Sequence, residues 1–347
     1  MTAQTHPLDL IRLRAYLEPR FEEFEGPWMV DQLAGGQSNP TYKIVTNSGM
    51  YVLRRKPAGK LLSSAHAVDR EYRVVTALAQ TDVPVARTLC LCEDEGVLGT
   101  PFYVMQFVAG RVFWDPSLPQ LDHAGRKSVY LELNRVIAAL HYVNPDAVGL
   151  SDFGRPGNYF SRQIARWAKQ YRESETERIE EMDRLIEWLP QHVPAGDEIS
   201  IVHGDFRLDN VIFHPTEPRI VAVLDWELST LGHPLADFAY HCMTWRVPAG
   251  VLRGLFGANL ESLGIPAESE YVRMYCERSG RAPIDPDTWD FCLAYNLFRL
   301  AAILQGIARR AIDGTSSSAT AVEMGRSARP VATLGWSLIE SALSRRR

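Results

Sequence analysis

The sequence predicts an α+β fold in two lobes, with an N-terminal antiparallel sheet plus a helix and a mainly helical C-terminal part. Short β-branched runs separated by turn residues occupy much of residues 1–108. From about residue 121 onward, apolar residues recur at intervals of three and four, which is the spacing of amphipathic helices. The 347 residues, 46% of them hydrophobic, can bury a core in each lobe. We therefore predict one lobe over residues 1–108 and a second over residues 109–347.

The elements of the first lobe follow from hydrophobic periodicity and from turn residues. An amphipathic pattern over residues 8–24 predicts a helix that packs against this lobe. Asn47, Ser48 and Gly49 form the predicted turn between the second and third strands. A second helix is predicted over residues 65–80, and strands are predicted over Val30–Leu33, Thr41–Thr46, Met50–Arg54, Pro84–Cys92 and residues 101–108.

The second lobe is predicted to consist of long helices around two short strands. The strands, Ile199–Val202 and Ile220–Leu224, are apolar β-branched runs, and each leads into charged residues that a strand end would expose. We expect them to be a strand pair inside the helical lobe. Helices are predicted from about residue 121 to His141, over residues 168–189, 268–278, 287–312 and 319–344, and from Pro234 onward.

The residues that follow these two strands carry the chemistry. Residues 203–210 read H-G-D-F-R-L-D-N, which places Asp205 and Asn210 five positions apart. Asp225 comes at the end of the second strand, twenty positions after Asp205. An acid, an amide and a second acid in this order match the catalytic loop and the metal-holding Asp of kinases.

These residue types suit phosphoryl transfer to an alcohol. Asp205 can accept the proton of the attacking hydroxyl. Asn210 and Asp225 supply the oxygen ligands that Mg²⁺ prefers, and carboxylates around a metal also balance charge beside the phosphates. A lone H-G-D triplet is more often a turn in which the Asp accepts backbone hydrogen bonds. Because the amide and the second acid both occur at matching positions, we favour catalysis.

The motifs resemble those of a known superfamily. H-G-D-F-R-L-D-N at 203–210, L-D-W-E at 224–227 and G-H-P-L-A-D at 232–237 resemble the aminoglycoside phosphotransferase and choline kinase superfamily, which has a protein-kinase-like fold. More narrowly, they are similar to the kinase-like domain found fused to acyl-CoA dehydrogenases. The resemblance implies an ATP- and Mg²⁺-dependent phosphotransferase, with nucleotide bound by the first lobe and with catalysis and acceptor binding in the second.

Several residues of the motif receive roles from this resemblance. The catalytic residues are His203, Asp205 and Arg207, with Asp205 as the base. His203 is expected to orient the loop through a hydrogen bond and not to transfer a proton. Asp237 is expected to support the loop from the start of a helix, where a carboxylate is stabilised. Glu227 either reaches the metal or the substrate or faces solvent, and the sequence leaves both options open.

Two segments of the first lobe are expected to bind the nucleotide. A Gly-rich loop can bring backbone N–H groups close to phosphates. By itself the run is better explained as a hairpin turn, and it lacks the full G-x-G-x-x-G of protein kinases, so the nucleotide role depends on the resemblance. Backbone groups at the end of the fifth strand are expected to hydrogen-bond adenine. These residues are Gly35, Gly36, Gln37, Ser38 and Asn39 for the loop and Gln106, Phe107 and Val108 for adenine.

The third strand ends where a kinase places its phosphate-binding lysine. This sequence has Arg54 at that position, and the subgroup fused to acyl-CoA dehydrogenases also resembles it in having V-L-R there. Arginine keeps a permanent charge and adds a fork that matches phosphate, but its reach differs from that of lysine. Lys56, on the same strand face, is the alternative occupant. Glu71 is expected to pair with Arg54 and to aim it at the phosphates, the alternative being a solvated glutamate.

The acceptor is predicted to be a hydroxyl of a small molecule, but the sequence leaves its identity open. Acidic and basic residues interleave over residues 261–310, which does not favour a polycation such as an aminoglycoside. Similarity to the fused subgroup favours a hydroxyacyl compound or its CoA thioester. Two other classes remain: a nucleotide-binding module that has lost turnover, and a metal-dependent hydrolase that uses His203, Asp205, Asp225, His233 and Asp237.

Composition limits the partners and the compartment. The net charge of −5 and the sequence pI near 6.0 argue against a general nucleic-acid or membrane-surface binder. Five cysteines without C-x-x-C spacing predict reduced thiols in place of a disulfide framework or zinc site. There is no basic flank before an apolar N-terminal segment and no run of eighteen apolar residues, so we predict a cytoplasmic protein.

Overall fold

The chain divides into two units in the structure, which is a computed structural model. The first unit contains Met1–Arg111 and Val211–Ser229, and the second contains Val112–Asn210 and Thr230–Arg347. Residues 211–229 therefore belong with the N-terminal sheet, although they fall within the second predicted lobe. The residues that the structure describes are 8–33, 39–57, 67–249, 252–314 and 321–345.

The described residues form nine strands and twelve α-helices. The strands are β1 Met29–Gln32, β2 Thr41–Val45, β3 Met50–Arg55, β4 Thr88–Cys92, β5 Phe102–Gln106, β6 Ser200–Val202, β7 Val211–Phe213, β8 Ile220–Val223 and β9 Thr230–Gly232. The helices are α1 Leu10–Leu17, α2 Val68–Leu78, α3 Glu95–Leu98, α4 His123–Tyr142, α5 Tyr159–Ser174, α6 Glu180–Trp188, α7 Pro234–Cys242, α8 Leu260–Leu263, α9 Glu268–Arg278, α10 Pro286–Ile312, α11 Ala321–Arg326 and α12 Ala328–Arg345. The predicted α+β class is confirmed.

The first unit is built on one antiparallel sheet in the order β1-β2-β3-β5-β4. Burial alternates along β2, so that Tyr42 and Ile44 face the core while their neighbours do not. Leu13 and Leu17 of α1 pack into the same core cluster. The central position of β3 places Arg54 directly opposite Tyr103 of β5, and this register fixes where the arginine side chain leaves the sheet.

Residues 211–229 are joined to this unit by backbone hydrogen bonds. Arg111 and Phe213 exchange two N–H···O bonds of 2.8 Å, and the N–H of Val223 donates to the carbonyl of Pro84 at 2.8 Å. Within the segment, β7 pairs with β8, while β6 pairs with β9 in the second unit. The expected pairing of the two sequence-predicted strands with each other is therefore wrong. Each pairs with a three-residue strand that is too short to show a recognisable period.

Helix α10 is the central element of the second unit. It contacts α5, α7, α11 and α12, and sixteen of its 27 residues are buried. Asn296 on this helix donates to the carbonyl of Ala236 at 2.9 Å, which ties α10 to the first turn of α7. A helix that is packed against four others needs apolar residues on several faces, and this explains its long apolar stretches.

The last predicted helix, over residues 319–344, is divided into α11 and α12. Pro330 lacks an N–H, and its ring would collide with the carbonyl of residue 326 in a continuous helix. Helix α11 accordingly ends at Arg326, and α12 begins at Ala328, where Pro330 falls in the first turn. The five cysteines form no disulfide in the structure, and four of them are buried. The reduced state expected from the sequence stays a prediction.

One described helix, α10, is long and apolar enough to cross a membrane by length and composition. In its most apolar window 78% of the residues are buried inside the protein, as in a core helix. The cytoplasmic location expected from the sequence stays a prediction.

Gly110 is required by the contact between the end of the sheet and β7. A Cβ at this position would lie 2.2 Å from the carbonyl oxygen of Phe213 and 2.4 Å from a methyl group of Ile212. We expect Gly110→Ala to lower the free energy of unfolding by about 1–3 kcal/mol, because backbone and core must shift. Chemical denaturation followed by circular dichroism measures this.

Gly306→Ala is the matched control, since the nearest atom to a Cβ there lies 3.6 Å away inside α10. Alanine should stabilise this helix position by up to about 1 kcal/mol. Equal effects of the two substitutions would contradict the close approach at Gly110.

Candidate active site

The predicted site residues form two sets, one in each unit. The loop that follows β6 carries His203, Asp205 and Asn210 in the second unit. In the first unit, Arg54 lies at the end of β3, Glu71 lies on α2, and Asp225 follows the end of β8. Each set is held by side-chain contacts within its own unit.

The loop after β6 turns sharply at Gly204, whose φ of +84° is a conformation that favours glycine. The turn brings Asp205 out of the buried strand, and its side chain is 20% exposed. The Nδ1 atom of His203 accepts the backbone N–H of Asp205 at 3.2 Å. The buried His203 ring is therefore hydrogen-bonded to the backbone of the loop, as its expected orienting role requires.

Asn210 closes a ring of hydrogen bonds with Asp205. Its Nδ2 donates to the backbone carbonyl of Asp205 and to the carboxylate oxygen Oδ2, both at 2.8 Å. With both N–H bonds of the amide directed at Asp205, the oxygen Oδ1 of Asn210 is the atom left to act as a metal ligand. The five-residue spacing is the distance along the chain that this ring needs.

Asp237 anchors the loop from the first turn of α7. Its Oδ2 accepts the N–H of His203 at 2.7 Å, and its Oδ1 accepts the N–H of Gly204 at 2.8 Å. His141 approaches Oδ2 through Nε2 at 3.2 Å. Burial opposes the charge, but the hydrogen bond and charge of His141, with His203, hold the pKa of Asp237 below its ordinary value. The expected role of Asp237 as support for the loop is confirmed.

A polar and aromatic layer supports His141 in turn. Its Nδ1 lies 2.8 Å from the hydroxyl of Tyr275, and the ring of Tyr275 stacks on Phe238 with centroids 3.7 Å apart. His241, also on α7, lies 2.8 Å from the hydroxyl of Tyr271, and burial lowers the pKa of this histidine to about 4. The loop thus packs against a dense layer of histidine and aromatic side chains.

Arg207, the third predicted catalytic residue, is exposed beside Asp205. Its Nε lies 3.5 Å from Oδ1 of Asp205, and its Nη2 lies 3.1 Å from Asp209. Arg253 reaches the same oxygen of Asp209 at 2.9 Å, and its guanidinium lies 5.1 Å from the ring centroid of Trp114. Two arginines therefore share one carboxylate at the rim of the loop.

In the first unit, Arg54 pairs with two acids. Its Nε lies 3.2 Å from Oε2 of Glu71, and its Nη2 lies 3.3 Å from Oδ1 of Asp225. Burial opposes the charge of Arg54, but Tyr103, Glu71 and Asp225 outweigh it and raise the pKa of the guanidinium. The expected pairing of Arg54 with Glu71 is present, so Arg54 is the cation that Glu71 orients.

Glu71 is buried and accepts three contacts. Besides Arg54, it accepts Nδ2 of Asn39 at 2.7 Å and the hydroxyl of Tyr103 at 3.1 Å. Burial raises the pKa of Glu71, and Arg54 with these two donors opposes that shift. Asn39, predicted as part of the nucleotide loop, therefore has its fully buried side chain on Glu71. Gly35, Gly36, Gln37 and Ser38 lie outside the described residues.

Asp225 adopts a left-handed conformation, with φ +63° and ψ +58°, and its side chain is 38% exposed. The following residue anchors it, because Nε1 of the buried Trp226 donates to the carbonyl of Val223 at 3.0 Å. The hydroxyl of Ser229 donates to the carbonyl of Trp226 at 2.6 Å. A strained aspartate held between fixed neighbours is typical of a functional position.

Two of the backbone N–H groups in the segment expected to bind adenine already have partners. The N–H of Gln106 already donates to the carbonyl of Arg87 at 2.8 Å, and that of Phe107 donates to Met50 at 2.9 Å. Both donors are used inside the first unit. Any contact with adenine from these residues would therefore use carbonyl oxygens or the N–H of Val108.

Each unit offers one side chain with an oxygen atom of the kind that a hard cation prefers. Among the residues that the structure describes, no group of three or more His, Cys, Asp and Glu side chains is arranged to hold a metal. His203 and His233 each use Nδ1 to accept a backbone N–H, and Asp237 uses both oxygens on the loop. Asn210 Oδ1 and the Asp225 carboxylate are oxygen donors of the kind Mg²⁺ prefers.

Sequence reasoning missed four residues that hold the two sets. Tyr103 supports Glu71, and His141 supports Asp237. Tyr240 and Arg299 contact the loop that follows β6, residues 203–210, which we call the base loop after the proposed role of Asp205. Tyr240 follows Asp237 by three positions on one helix, so its face could have been inferred from helical spacing. Nothing local marks Arg299, which lies 95 positions after the Gly204 carbonyl that it contacts.

Removing the charge of Asp237 should weaken the loop anchor. In Asp237→Asn the amide nitrogen would face a backbone N–H, and we expect the free energy of unfolding to fall by about 2–4 kcal/mol. Because the folded-state pKa of Asp237 lies below its ordinary value of 3.8, this contribution is present above that pH and is lost as the pH falls below it. Denaturant titrations of the parent and the variant from pH 7 down to pH 3 measure how the difference between their free energies of unfolding becomes smaller.

Asp146→Asn, at an exposed turn position, is the control and should change stability by less than about 0.5 kcal/mol. A pH-independent difference between Asp237→Asn and the parent would show that the carboxylate charge is not what anchors the loop.

Comparisons with known proteins place the chain in a family. A family model described as the phosphotransferase enzyme family matches residues 30–276. Acyl-CoA dehydrogenase family member 10 of Mus musculus is 48% identical over 313 residues, which are 90% of this chain but 29% of the mouse protein. The chain thus spans less than a third of that relative.

Solved structures share the whole fold. A Ralstonia eutropha JMP134 protein, named as a candidate aminoglycoside phosphotransferase, is 55% identical, with a TM-score of 0.90 over 96% of this chain and 99% of that one. Aminoglycoside phosphotransferase APH(4)-Ia, solved with AMP-PNP and hygromycin B, is 17% identical, with a TM-score of 0.60 over 94% and 98% of the two chains, and supports the fold alone. The chain belongs to the phosphotransferase enzyme family and has the protein-kinase-like fold that its motifs indicate.

Proposed function

We propose that this phosphotransferase moves the γ-phosphoryl group of ATP to a hydroxyl of a small molecule, with Mg²⁺ as the cofactor. The observation that carries the proposal is the hydrogen-bonded ring of Asp205 and Asn210. It holds a partly exposed carboxylate at the end of a buried strand and directs an amide oxygen away from it. This is the arrangement needed for a base beside a metal ligand.

Asp205 is the proposed general base. The acceptor hydroxyl gives its proton to the Asp205 carboxylate while its oxygen attacks the γ-phosphorus, and the bond from that phosphorus to the leaving ADP oxygen breaks. His203 and Asp237 keep the loop in position and touch no reacting atom. Mg²⁺, held by Asn210 Oδ1 and Asp225, would neutralise charge on the phosphates.

Arg54 is the proposed phosphate-binding cation of the first unit. Its charge is permanent, Glu71 fixes its direction, and Tyr103 and Asn39 fix Glu71. The alternative of a module without turnover was suggested by the missing lysine. An arginine that forms the expected pair with Glu71 weakens that alternative, because the base and the amide are also present. We still propose that the loop Gly35–Asn39 covers the phosphates of the nucleotide.

For the acceptor, we favour a hydroxyacyl compound or its CoA thioester. The mouse relative carries an acyl-CoA dehydrogenase name and is 48% identical, whereas the hygromycin B-bound structure is 17% identical. Arg207 and Arg253 both lie at the rim of the base loop, and a polycationic antibiotic would meet them unfavourably. An acceptor that carries carboxylate or phosphate groups would not.

Asp205→Asn tests the base. The amide cannot accept the proton, so we expect transfer to fall by about 10²- to 10⁴-fold while MgATP affinity changes less than about threefold. The measurement uses γ-labelled ATP, Mg²⁺ and a panel of hydroxyacyl-CoA thioesters, free hydroxy acids and hygromycin B. Label on the thioesters or hydroxy acids alone supports the proposed acceptor. Unchanged transfer in the variant would refute Asp205 as the base, and label on hygromycin B alone would refute the acceptor class.

Arg54→Met and Lys56→Met decide which cation binds the phosphates. Loss of the charge that Glu71 orients should raise the KM for ATP about 10- to 100-fold, since charge-assisted bonds to phosphate are lost. Lys56→Met, which removes a cation two positions away and just beyond the end of β3, should leave the KM within about threefold. The reverse ranking in steady-state kinetics would assign the phosphates to Lys56.

A further inference from the structure

The carboxylate of Asp205 is contacted from three sides. Asn210 occupies Oδ2 at 2.8 Å, the hydroxyl of Tyr240 donates to Oδ1 at 2.5 Å, and Nε of Arg207 lies 3.5 Å from Oδ1. A carboxylate offers about four lone-pair sites, so these contacts leave room for a further donor. They also remove the rotational freedom that a partly exposed aspartate otherwise has.

Tyr240 is well suited to act as a fixed donor. It lies on α7 three positions after Asp237, so the helix that anchors the loop backbone also directs this hydroxyl at the carboxylate. Burial first, and then the negative charge of Asp205, raise the pKa of Tyr240. The hydroxyl therefore keeps its proton and donates it in a hydrogen bond at any physiological pH.

Arg299 holds this arrangement from behind. It is 7% exposed, its Nη2 donates to the carbonyl of Gly204 at 2.8 Å, and its guanidinium lies 5.0 Å from the ring centroid of Tyr240 and 5.6 Å from that of Trp167. Arg299 thus contacts a backbone carbonyl and two aromatic rings. A buried cation placed in this way fixes the tyrosine ring behind Asp205.

We propose that Tyr240 is a positioning residue for the reaction: held by Arg299, its hydroxyl fixes Oδ1 of Asp205 opposite Asn210, so that a remaining lone pair of the carboxylate faces the acceptor hydroxyl. This inference depends on the proposed role of Asp205 as the base. In the step, the acceptor O–H bond breaks, its proton passes to Asp205, the acceptor oxygen bonds to the γ-phosphorus, and ADP leaves with the electrons of the broken P–O bond. Tyr240 keeps its own proton throughout.

Tyr240→Phe removes the hydroxyl and keeps the ring on Arg299. With MgATP and water as the acceptor, we expect kcat for hydrolysis to fall about 10- to 100-fold, because the base is no longer fixed, while the KM for ATP stays within about twofold. Tyr130→Phe is the matched control, since its buried hydroxyl donates to the carbonyl of Pro116 at 2.6 Å and it has no place in the proposed reaction. A loss in the control as large as in Tyr240→Phe would overturn the proposal.

A double-mutant cycle with Asp205→Asn separates positioning from general support of the structure. In the Asp205→Asn background, Tyr240→Phe should change kcat less than about twofold, because there is no base left to position. Additive losses would mean that Tyr240 acts elsewhere. If Asp205→Asn alone leaves kcat unchanged, the proposed base is wrong. If it lowers kcat but Tyr240→Phe behaves like Tyr130→Phe, only the positioning role is overturned.

The same cycle is measured by urea unfolding, which requires no turnover. The two substitutions should be coupled about tenfold in the unfolding equilibrium constant, because Tyr240→Phe removes the donor of this hydrogen bond and Asp205→Asn replaces its charged acceptor by a neutral amide. Coupling of less than about twofold would overturn the contact, and with it the proposal, whatever the hydrolysis rate.

Discussion

The base loop depends on the hydrogen bonds that the carboxylate of Asp237 accepts from its backbone. It accepts the N–H groups of both His203 and Gly204, the two residues that lead from a buried strand into Asp205. A buried negative charge is costly unless it is fully hydrogen-bonded, and His141 completes the set. The energetic need to satisfy this one carboxylate therefore determines where the loop backbone lies, and the backbone determines where the Asp205 side chain points.

Helix α7 carries both the loop anchor, Asp237, and the proposed positioning residue, Tyr240. Because α7 begins at Pro234, Asp237 lies in its first turn, where the helix dipole favours an anion, and Tyr240 lies one turn later on the same side. The loop anchor and the proposed positioning hydroxyl are thus fixed relative to each other by helix geometry. Arg299, from α10, closes the arrangement by binding the Gly204 carbonyl.

In the first unit, a series of linked side chains determines the direction of the Arg54 guanidinium. Asn39 and Tyr103 hold Glu71, and Glu71 with Asp225 holds Arg54. This explains how arginine can occupy the position where kinases have lysine. The guanidinium can contact two carboxylates at once, whereas an ammonium would offer a single point charge.

The sequence by itself determined the α+β class, the antiparallel sheet of the first lobe and the five-residue spacing of Asp205 and Asn210, because each depends on neighbours along the chain. Motif order was enough to indicate Arg54, Glu71 and Asp225. The tertiary structure decided the strand pairing of β6 with β9, the grouping of residues 211–229 with the sheet, and the contacts of Tyr103, His141 and Arg299. Those features join residues far apart in the chain, so packing selects them and no local pattern records them.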